Sequence, residues 1–290
     1  MFGKNFLIGY GFILLIVFLL AINWNTLFNN YSSGSSYTYQ DSKTEVENNK
    51  LLYDSYSNYK KHENIEYAEK KDYKGRHHKL TLDLFEPEPA DDLVKNRPVL
   101  LLAHGGGFFA GSKSDMTKFA EQFVKKGYVV ISIDYRLRDN PVTNWSAAVD
   151  DAMDDLGNAF DWIIDHSEDY HIDPKRIAIG GESAGGELTL SFINAGPQIW
   201  QNRDKSRVFA VINLYGPMSK VNEIDSADPP ILFIHGTEDR TISYNETVKM
   251  VDLHRSKGVY TELFTMEGEG HGTDKYWSDV VFEMTQFLHN

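Results

Sequence analysis

Short apolar runs alternate with longer mixed stretches from residue 99 onward. The apolar runs are four to six residues long, and they predict buried strands at 99–103, 128–133, 176–179, 209–214, 231–234 and 261–264. The stretches between them predict helices at 115–126, 147–166, 185–195, 244–257 and 276–289. Strands that are apolar throughout and alternate with helices are typical of a parallel sheet with helices on both faces. The pattern therefore predicts an α/β fold, in which ligands bind at the carboxyl ends of the strands.

Two earlier stretches, 65–70 and 79–85, alternate apolar and polar residues. This alternation predicts a pair of antiparallel strands ahead of the parallel sheet. Residues 29–62 are polar, and Ser, Asn, Tyr and Gly dominate their first half, which predicts a stalk or linker. We therefore expect the folded domain to cover residues 63–290.

The first 28 residues contain an unbroken apolar run from Phe6 to Ile22. A helix rises about 1.5 Å per residue, so a run of this length approaches the ~30 Å hydrocarbon core of a bilayer. Lys4 precedes the run and no Lys or Arg follows it before Lys43, a bias that places the start in the cytoplasm and the rest outside. We favour an uncleaved transmembrane signal anchor over residues 1–28. A cleaved signal peptide, which would give a secreted protein, is the alternative.

The charge and the cysteine content exclude several functions. The formal net charge is −13 and no dense cluster of Lys and Arg occurs, so we expect no nucleic-acid partner. The chain has no cysteine, which excludes disulfides, thiolate metal sites and thiol nucleophiles. The 10 histidines show no ligand spacing such as H-E-x-x-H, so we expect neither a metal nor another cofactor.

Four aspartates, at 150, 151, 154 and 155, lie on one predicted helix. Carboxylates at this spacing can bind a cation, but they more often form a solvated face. Acidic residues also suit the first turns of a helix because of its macrodipole. We expect a solvated surface here and no metal site.

A glycine-rich stretch, GGESAGGE, begins at residue 180. It follows a predicted strand and precedes a predicted helix, so its G-x-S-x-G pattern lies in the context in which this motif marks a nucleophilic serine. A serine on such a sharp turn needs small neighbours, because its backbone angles are unusual. A flexible linker has a similar composition but lacks the flanking strand and helix. We therefore predict that Ser183 is a nucleophile.

A second glycine run, HGGG at 104–107, follows the predicted strand at 99–103. Backbone N–H groups of glycines at a strand end can face a substrate oxygen, and so can the N–H of the residue after the nucleophile. We predict an oxyanion hole formed by Gly106, Gly107 and Ala184. Aromatic side chains near this run are expected to line the substrate pocket: Phe108, Phe109 and, as further candidates, Trp145 and Tyr215.

A serine nucleophile needs a base and an orienting acid, which this fold supplies in the chain order Ser, Asp, His. Asp239 lies in the loop after the strand at 231–234, and Glu238 is its neighbouring alternative. His271 lies between glycines in the loop after the last strand and can present its imidazole freely. We predict Asp239 as the acid and His271 as the base. We expect His235 to be structural, because it ends a strand.

Six motifs then carry a family resemblance: HGGGFFAGSKSD at 104–115, SIDYRL at 132–137, FDWI at 160–163, HIDPKRIAIGGESAGG at 171–186, HGTEDRTI at 235–242 and GEGHG at 268–272. In these motifs the chain resembles the α/β-hydrolase superfamily from about residue 63 to 290, and within it the carboxylesterases with an H-G-G-G oxyanion motif. The resemblance implies the α/β-hydrolase fold and acyl transfer to water without a cofactor. It implies the same residue roles: Ser183 as nucleophile, Asp239 as acid, His271 as base, and Gly106, Gly107 and Ala184 as oxyanion donors.

Two positions depart from the hormone-sensitive-lipase-like group of these esterases. That group usually continues Y-R-L with A-P-E and places Asp before the nucleophile, whereas Arg138 follows Leu137 and Glu182 precedes Ser183 in this chain. The departures favour the acetylesterase and feruloyl-esterase-like group.

The sequence therefore predicts an extracytoplasmic, membrane-anchored serine carboxylesterase for short-chain acyl esters, acetylated carbohydrates among them. Alternatives on the same fold are an amidase or peptidase, such as an arylformamide hydrolase, and a lipase that acts on the membrane. A non-catalytic binding domain on this scaffold would commonly lack a triad residue, and all three candidates are present.

Overall fold

The computed structural model describes residues 56–88, 96–220 and 223–289. The strands are β1 (Tyr59–Lys71), β2 (His77–Pro87), β3 (Arg97–Ala103), β4 (Val129–Ile133), β5 (Ile172–Glu182), β6 (Val208–Leu214), β7 (Ile231–Gly236) and β8 (Thr261–Met266). The α-helices are α1 (Thr117–Val124), α2 (Trp145–Asp165), α3 (Ala184–Ile193), α4 (Pro197–Trp200), α5 (Tyr244–Ser256) and α6 (Trp277–His289). Single 3-10 turns cover Lys113–Met116, Pro141–Asn144 and Lys205–Arg207.

The described strands form one eight-stranded sheet in the order β1-β2-β4-β3-β5-β6-β7-β8. β1 and β2 pair antiparallel, β2 also pairs antiparallel with β4, and every other pair is parallel. The sequence predicted both the antiparallel pair and the parallel sheet, and both predictions are confirmed. The carboxyl ends of β3 and of β5 to β8 meet at one edge, because these strands run in the same direction.

Helices cover both faces of the sheet. Alternate residues of β3 face opposite sides: Leu101 belongs to one buried cluster and Leu102 to the other. Residues of α2, α3 and α5 pack in the first cluster, and residues of α1 and α6 pack in the second. A core on each face holds the central strands rigidly, so that the loops at their carboxyl ends start from fixed positions.

The amino-terminal boundary differs from the prediction. β1 begins at Tyr59, inside the stretch predicted as stalk, and the ring of Tyr56 lies under the Arg97 guanidinium at 4.6 Å. The sequence did not predict the start of this strand because the stretch has low hydrophobicity and much of β1 is exposed. The strand is identified by its pairing with β2. The predicted anchor over residues 1–28 lies outside the described residues. Among the residues that are described, no helix is long and apolar enough to span a bilayer.

The aspartates of α2 form the expected solvated face only in part, because the side chains of Asp150 and Asp154 are 57% and 45% exposed whereas Asp155 is not. Asp155 is fully buried, and its carboxylate accepts hydrogen bonds from the backbone N–H and the guanidinium of Arg136. Burial raises the pKa of Asp155 to about 6, although Arg136 opposes this shift. Asp151 pairs with Arg138 at 2.6 Å. These pairs fix the loop after β4 to α2, and no group of described side chains has the arrangement of a metal site.

Candidate active site

Ser183 occupies a strained turn between β5 and α3. Its backbone angles are φ 52° and ψ −116°, a region that non-glycine residues rarely adopt. A Cβ on Gly185 would lie 2.1 Å from the carbonyl oxygen of Ala103, and one on Gly181 would lie 2.4 Å from the backbone of Gly185. The glycines of the G-x-S-x-G pattern therefore let β5, α3 and the end of β3 approach closely. This turn presents the Ser183 hydroxyl at the carboxyl edge of the sheet.

The three residues predicted as nucleophile, base and acid form one hydrogen-bonded chain. Nε2 of His271 lies 2.9 Å from Oγ of Ser183, and Nδ1 of His271 lies 2.7 Å from Oδ2 of Asp239. Asp239 follows β7 and His271 follows β8, so the two side chains reach Ser183 from neighbouring strand ends. Glu238, the alternative acid, is exposed to solvent. The spacing is that of a serine, its general base and the acid that orients the base.

Each oxygen of Asp239 lies within 3.1 Å of two nitrogens. Oδ1 accepts from the backbone N–H groups of Thr241 at 2.7 Å and Ile242 at 2.9 Å. Oδ2 lies 2.7 Å from Nδ1 of His271 and 3.1 Å from Nε2 of His235. Burial by itself raises the pKa of Asp239, but the hydrogen bonds from His235, His271 and Ile242 outweigh it and hold the pKa well below its usual range. The acid is therefore a carboxylate at neutral pH, as an orienting acid must be.

His235 lies beside these three hydrogen-bonded residues and makes a contact that the sequence did not reveal. It ends β7, as expected, and its side chain is fully buried. It also contacts Asp239, which a role limited to strand packing does not predict. The available signal was the spacing of four residues between His235 and Asp239 across the turn after β7.

The glycine run after β3 folds into a tight loop beside Ser183. Gly106, Gly107 and Phe108 have positive φ angles of 108°, 61° and 62°, and the carbonyl of Gly106 accepts hydrogen bonds from the amides three and four residues later, Phe109 at 3.2 Å and Ala110 at 3.1 Å. A Cβ on Gly106 would lie 2.1 Å from the carbonyl oxygen of Ala110, so this turn excludes larger residues.

The loop is close enough to Ser183 to hold an oxyanion. A Cβ on Gly105 would lie 3.3 Å from Cβ of Ser183, which places the start of the loop against the nucleophile. Ala184 is the first residue of α3, so its N–H has no acceptor within the helix. Gly105 and Ala184 therefore lie beside Ser183, where the positive end of the α3 dipole also lies, and the roles of Gly106, Gly107 and Ala184 as oxyanion donors stay a prediction.

The two phenylalanines of the loop have different environments. Phe109 is 41% exposed and lies over Gly107, so it is available to a substrate. Phe108 is fully buried, with its ring edge-on to Trp145 at 5.2 Å between centroids. The predicted substrate contact of Phe108 is therefore wrong for this conformation. Its left-handed backbone turns the side chain into the core, where it supports the loop from below.

A buried carboxylic acid lies one helical turn after Ser183. Glu187 is fully buried, and its Oε1 accepts a 2.8 Å hydrogen bond from Nε1 of Trp145. Burial raises the pKa of Glu187 to about 7, and the hydrogen bond from Trp145 opposes this shift. Trp145 therefore connects the first turn of α3 to Phe108 and the oxyanion loop.

Two family models match adjoining parts of the chain. The BD-FAE model matches residues 82–221, and the model of the prolyl oligopeptidase family, Peptidase_S9, matches residues 200–290. The first match contains the glycine loop and Ser183, and the second contains Asp239 and His271.

Curated relatives are similar over shorter segments. The ethyl acetate hydrolase of Pseudomonas putida is 34% identical over 118 residues, which are 40% of this chain and 35% of that protein. The tuliposide A-converting enzyme b1 of Tulipa gesneriana is 32% identical over 122 residues, which are 38% of this chain and 31% of that protein. A non-reducing polyketide synthase of Stereocaulon alpinum is 31% identical over 153 residues, which are 50% of this chain and 6% of that protein. The chain thus spans about a third or less of the length of these relatives.

Solved structures are similar over most of the chain. The esterase 2 of Thermogutta terrifontis, phosphorylated by paraoxon, has a TM-score of 0.63 at 23% identity and covers 79% of this chain and 93% of its own. A truncated carbohydrate esterase from gut microbiota has a TM-score of 0.63 at 21% identity and covers 82% of this chain and 98% of its own. At these identities the similarity shows a common fold.

Proposed function

We propose that this chain, which belongs to the α/β-hydrolase superfamily of serine hydrolases, is a carboxylesterase that cleaves short-chain acyl esters through an acyl-serine intermediate. The observation that carries the proposal is the chain from Ser183 through His271 to Asp239, with distances of 2.9 Å and 2.7 Å, beside a glycine loop that can hold an oxyanion. The arrangement supplies a nucleophile, a base, an orienting acid and backbone donors in one place.

The geometry supports the following sequence of steps. His271 takes the proton of Ser183 as the hydroxyl oxygen attacks the ester carbonyl, and the carboxylate of Asp239 stabilises the imidazolium. Backbone N–H groups of Gly106, Gly107 and Ala184 stabilise the oxyanion of the tetrahedral intermediate. His271 then gives the proton to the leaving alcohol, and an acyl-serine remains. Water, deprotonated by the same histidine, attacks this ester and regenerates Ser183 with release of the acid.

The comparisons support an ester with a small acyl group. Among the similar proteins are an ethyl acetate hydrolase and a carbohydrate esterase, and the first family match is the BD-FAE model. We therefore propose acetylated carbohydrates as the first natural substrates to test.

The test is hydrolysis of p-nitrophenyl esters from acetate to laurate by the full chain, beside the Ser183→Ala variant. We expect activity that falls steeply beyond butyrate and is lost in the variant. Ser256→Ala, which removes a hydroxyl from the exposed end of α5, is the matched control and should retain activity. A folded protein without activity on any ester would contradict the proposal, and activity that rises with chain length would indicate a lipid substrate instead.

An amidase or peptidase is the second candidate, because the prolyl oligopeptidase family model matches residues 200–290. The same chain of Ser183, His271 and Asp239 can cleave an amide when His271 protonates the leaving amine. Matched p-nitrophenyl ester and p-nitroanilide substrates with the same acyl group distinguish the two. A kcat/KM for the anilide that approaches the value for the ester would favour the amidase.

We further propose that residues 1–28 hold the domain on the extracytoplasmic side of a membrane. The apolar run from Phe6 to Ile22 and the charge bias across it support this location. Alkaline carbonate extraction, together with protease accessibility of intact cells, tests it. Retention in the membrane pellet is the expected result, and a soluble chain that starts after residue 22 would indicate a cleaved signal peptide.

A further inference from the structure

One buried side chain outside the proposed set of reacting groups touches the orienting acid. Nε2 of His235 lies 3.1 Å from Oδ2 of Asp239, the same oxygen that receives Nδ1 of His271 at 2.7 Å. Both His235 and the Asp239 carboxylate are shielded from solvent, so no water at the surface competes for this contact. We propose that His235 is a positioning residue, which holds the Asp239 carboxylate in the orientation that the catalytic imidazole needs.

The partners of His235 fix which nitrogen carries the proton. Nε2 faces two acceptors, Oδ2 of Asp239 and the carbonyl oxygen of Ile242 at 3.0 Å. A lone pair on Nε2 would be repelled by both oxygens, so Nε2 carries the hydrogen, which it donates to the Ile242 carbonyl with Oδ2 of Asp239 in close contact. Nδ1 lies 2.7 Å from Oγ1 of Thr247, whose hydroxyl can donate to it. Both ring nitrogens of His235 therefore have hydrogen-bond partners.

This arrangement links the acid to a helix rather than to its own loop alone. Thr247 lies in α5 and is fully buried, and the loop from Asp239 to Ile242 joins β7 to that helix. The ring of His235 therefore lies between Thr247 of α5 and the Asp239 carboxylate. It also binds the carbonyl oxygen of Ile242, and the N–H of Ile242 donates to Oδ1 of Asp239. Rotation of the carboxylate would break bonds to His235 and to the loop amides together.

Ordinary burial does not explain the contact. His254 is also fully buried, but its ring nitrogens meet the carbonyl oxygen of Met250 at 2.7 Å and the side-chain amide of Asn194 at 3.2 Å. A histidine that only fills the core can satisfy its nitrogens in that way. His235 instead places Nε2 3.1 Å from the one carboxylate that orients His271, while it donates to the carbonyl oxygen of Ile242 in the same loop, and this is the basis of the assignment.

The experiment compares four variants of the full chain. His235→Phe keeps a ring of similar size and removes the donor. His235→Gln keeps an N–H donor and an acceptor in one side chain. Thr247→Val removes the hydroxyl that faces Nδ1. His254→Phe is the matched control, since it makes the same replacement at a buried histidine that does not touch Asp239.

Two readouts are needed because the proposal rests on the proposed function. The first is kcat and KM for the best p-nitrophenyl ester. The second is the rate at which paraoxon phosphorylates Ser183, which reports the reactivity of the serine without any assumption about the natural substrate. A wild-type chain that reacts with paraoxon but hydrolyses no ester would contradict the esterase proposal and still leave the role of His235 measurable.

We expect His235→Phe to lower kcat and the phosphorylation rate by about 10- to 100-fold, the size expected when one hydrogen bond to a charged group is removed, with KM changed by no more than about two-fold. His235→Gln should recover most of this loss, and Thr247→Val should lower both rates by a few-fold. His254→Phe should lower the melting temperature without a comparable loss of kcat.

Three results would overturn the proposal. One is a folded His235→Phe variant with both rates within about two-fold of wild type. Another is a His235→Gln variant as slow as His235→Phe, because the donor would then be irrelevant. The third is a loss of kcat in His254→Phe equal to that in His235→Phe, which would assign the effect to core packing. If His235→Phe does not fold, the glutamine and Thr247→Val variants decide the question: wild-type rates in both contradict the proposal.

Discussion

The hydroxyl of Tyr215 donates a 2.8 Å hydrogen bond to Oε2 of Glu182, while the ring of the same tyrosine packs edge-on against His271 at 4.8 Å between centroids. Glu182 directly precedes Ser183, and Tyr215 follows β6 with a positive φ of 43°. The side chain of Tyr215 therefore contacts both the residue before the nucleophile and the imidazole of the base.

Tyr215→Phe tests the contact with Glu182, because it keeps the ring on His271 and removes the hydrogen bond to Glu182. Burial raises the pKa of Glu182, and the bond from Tyr215 limits the shift. A carboxyl whose pKa is raised on folding destabilises the protein as the pH rises above its unfolded pKa. The variant should therefore lose roughly 1–2 kcal/mol at pH 8 and less near pH 4.5, where the carboxyl is protonated.

Urea unfolding of wild type and Tyr215→Phe at the two pH values measures this difference. Tyr260→Phe is the matched control, since Tyr260 makes the same kind of bond to Glu262 at an exposed site, where it contributes little. An equal loss at both pH values would show that the hydroxyl does not stabilise the ionised form of Glu182.

Asp239→Asn should be the most damaging conservative change at the site. Four nitrogens lie within 3.1 Å of the carboxylate, two at each oxygen, and an amide group presents N–H to two of them. His271 would lose its orienting acceptor, so we expect kcat to fall by about 10⁴-fold with a small change in KM. Steady-state kinetics measures this fall. Glu238→Gln removes the exposed neighbouring acid and should leave kcat within about two-fold of wild type. A larger loss of kcat in Glu238→Gln than in Asp239→Asn would show that Glu238 is the orienting acid.

The residues that the sequence identified are those whose position follows from short-range patterns. Ser183, Asp239 and His271 each lie in a loop directly after a strand, and strands that alternate with helices place such loops at one edge. The glycines around Ser183 were informative because a tight turn excludes side chains, which leaves a pattern within five residues.

The features that the sequence did not reveal depend on long-range packing. Whether Phe108 faces substrate or core is decided by the left-handed turn of its loop and by the room beside Trp145. The contact of His235 with Asp239 depends on how the loop after β7 folds back over the strand end. The burial of Asp155 requires Arg136, which lies in the loop after β4. Alternation of polar and apolar residues carries none of this information.

Glu187→Gln should change how stability depends on pH. Burial raises the pKa of Glu187 to about 7 from the ordinary value of 4.5, so the folded state holds a proton that the unfolded state releases between these values. The stability contributed by this proton is present below pH 4.5 and is lost as the pH rises to 7, a loss of order 3 kcal/mol at about 1.4 kcal/mol per pKa unit. Gln cannot ionise and can still accept the hydrogen bond from Trp145.

The measurement is the free energy of unfolding in urea between pH 4.5 and 7.5 for both proteins. Relative to that of wild type, the free energy of unfolding of the variant should rise by up to about 3 kcal/mol across this window. A difference between the two curves that stays constant with pH would show that Glu187 ionises in the folded state as it does in the unfolded state.

Gly185→Ala should prevent or severely weaken folding, although it is a single methyl group in a helix. The added Cβ would lie 2.1 Å from the carbonyl oxygen of Ala103 and 2.6 Å from that of His104, and both are backbone atoms that cannot rotate away. Relief requires α3 to move off the end of β3, so we expect a loss of at least about 3 kcal/mol. Gly270→Ala is the control, because its Cβ would have no neighbour within 4 Å, and its urea midpoint should stay close to that of wild type. A Gly185→Ala midpoint equal to that of the control would mean that α3 does not approach β3 this closely in solution.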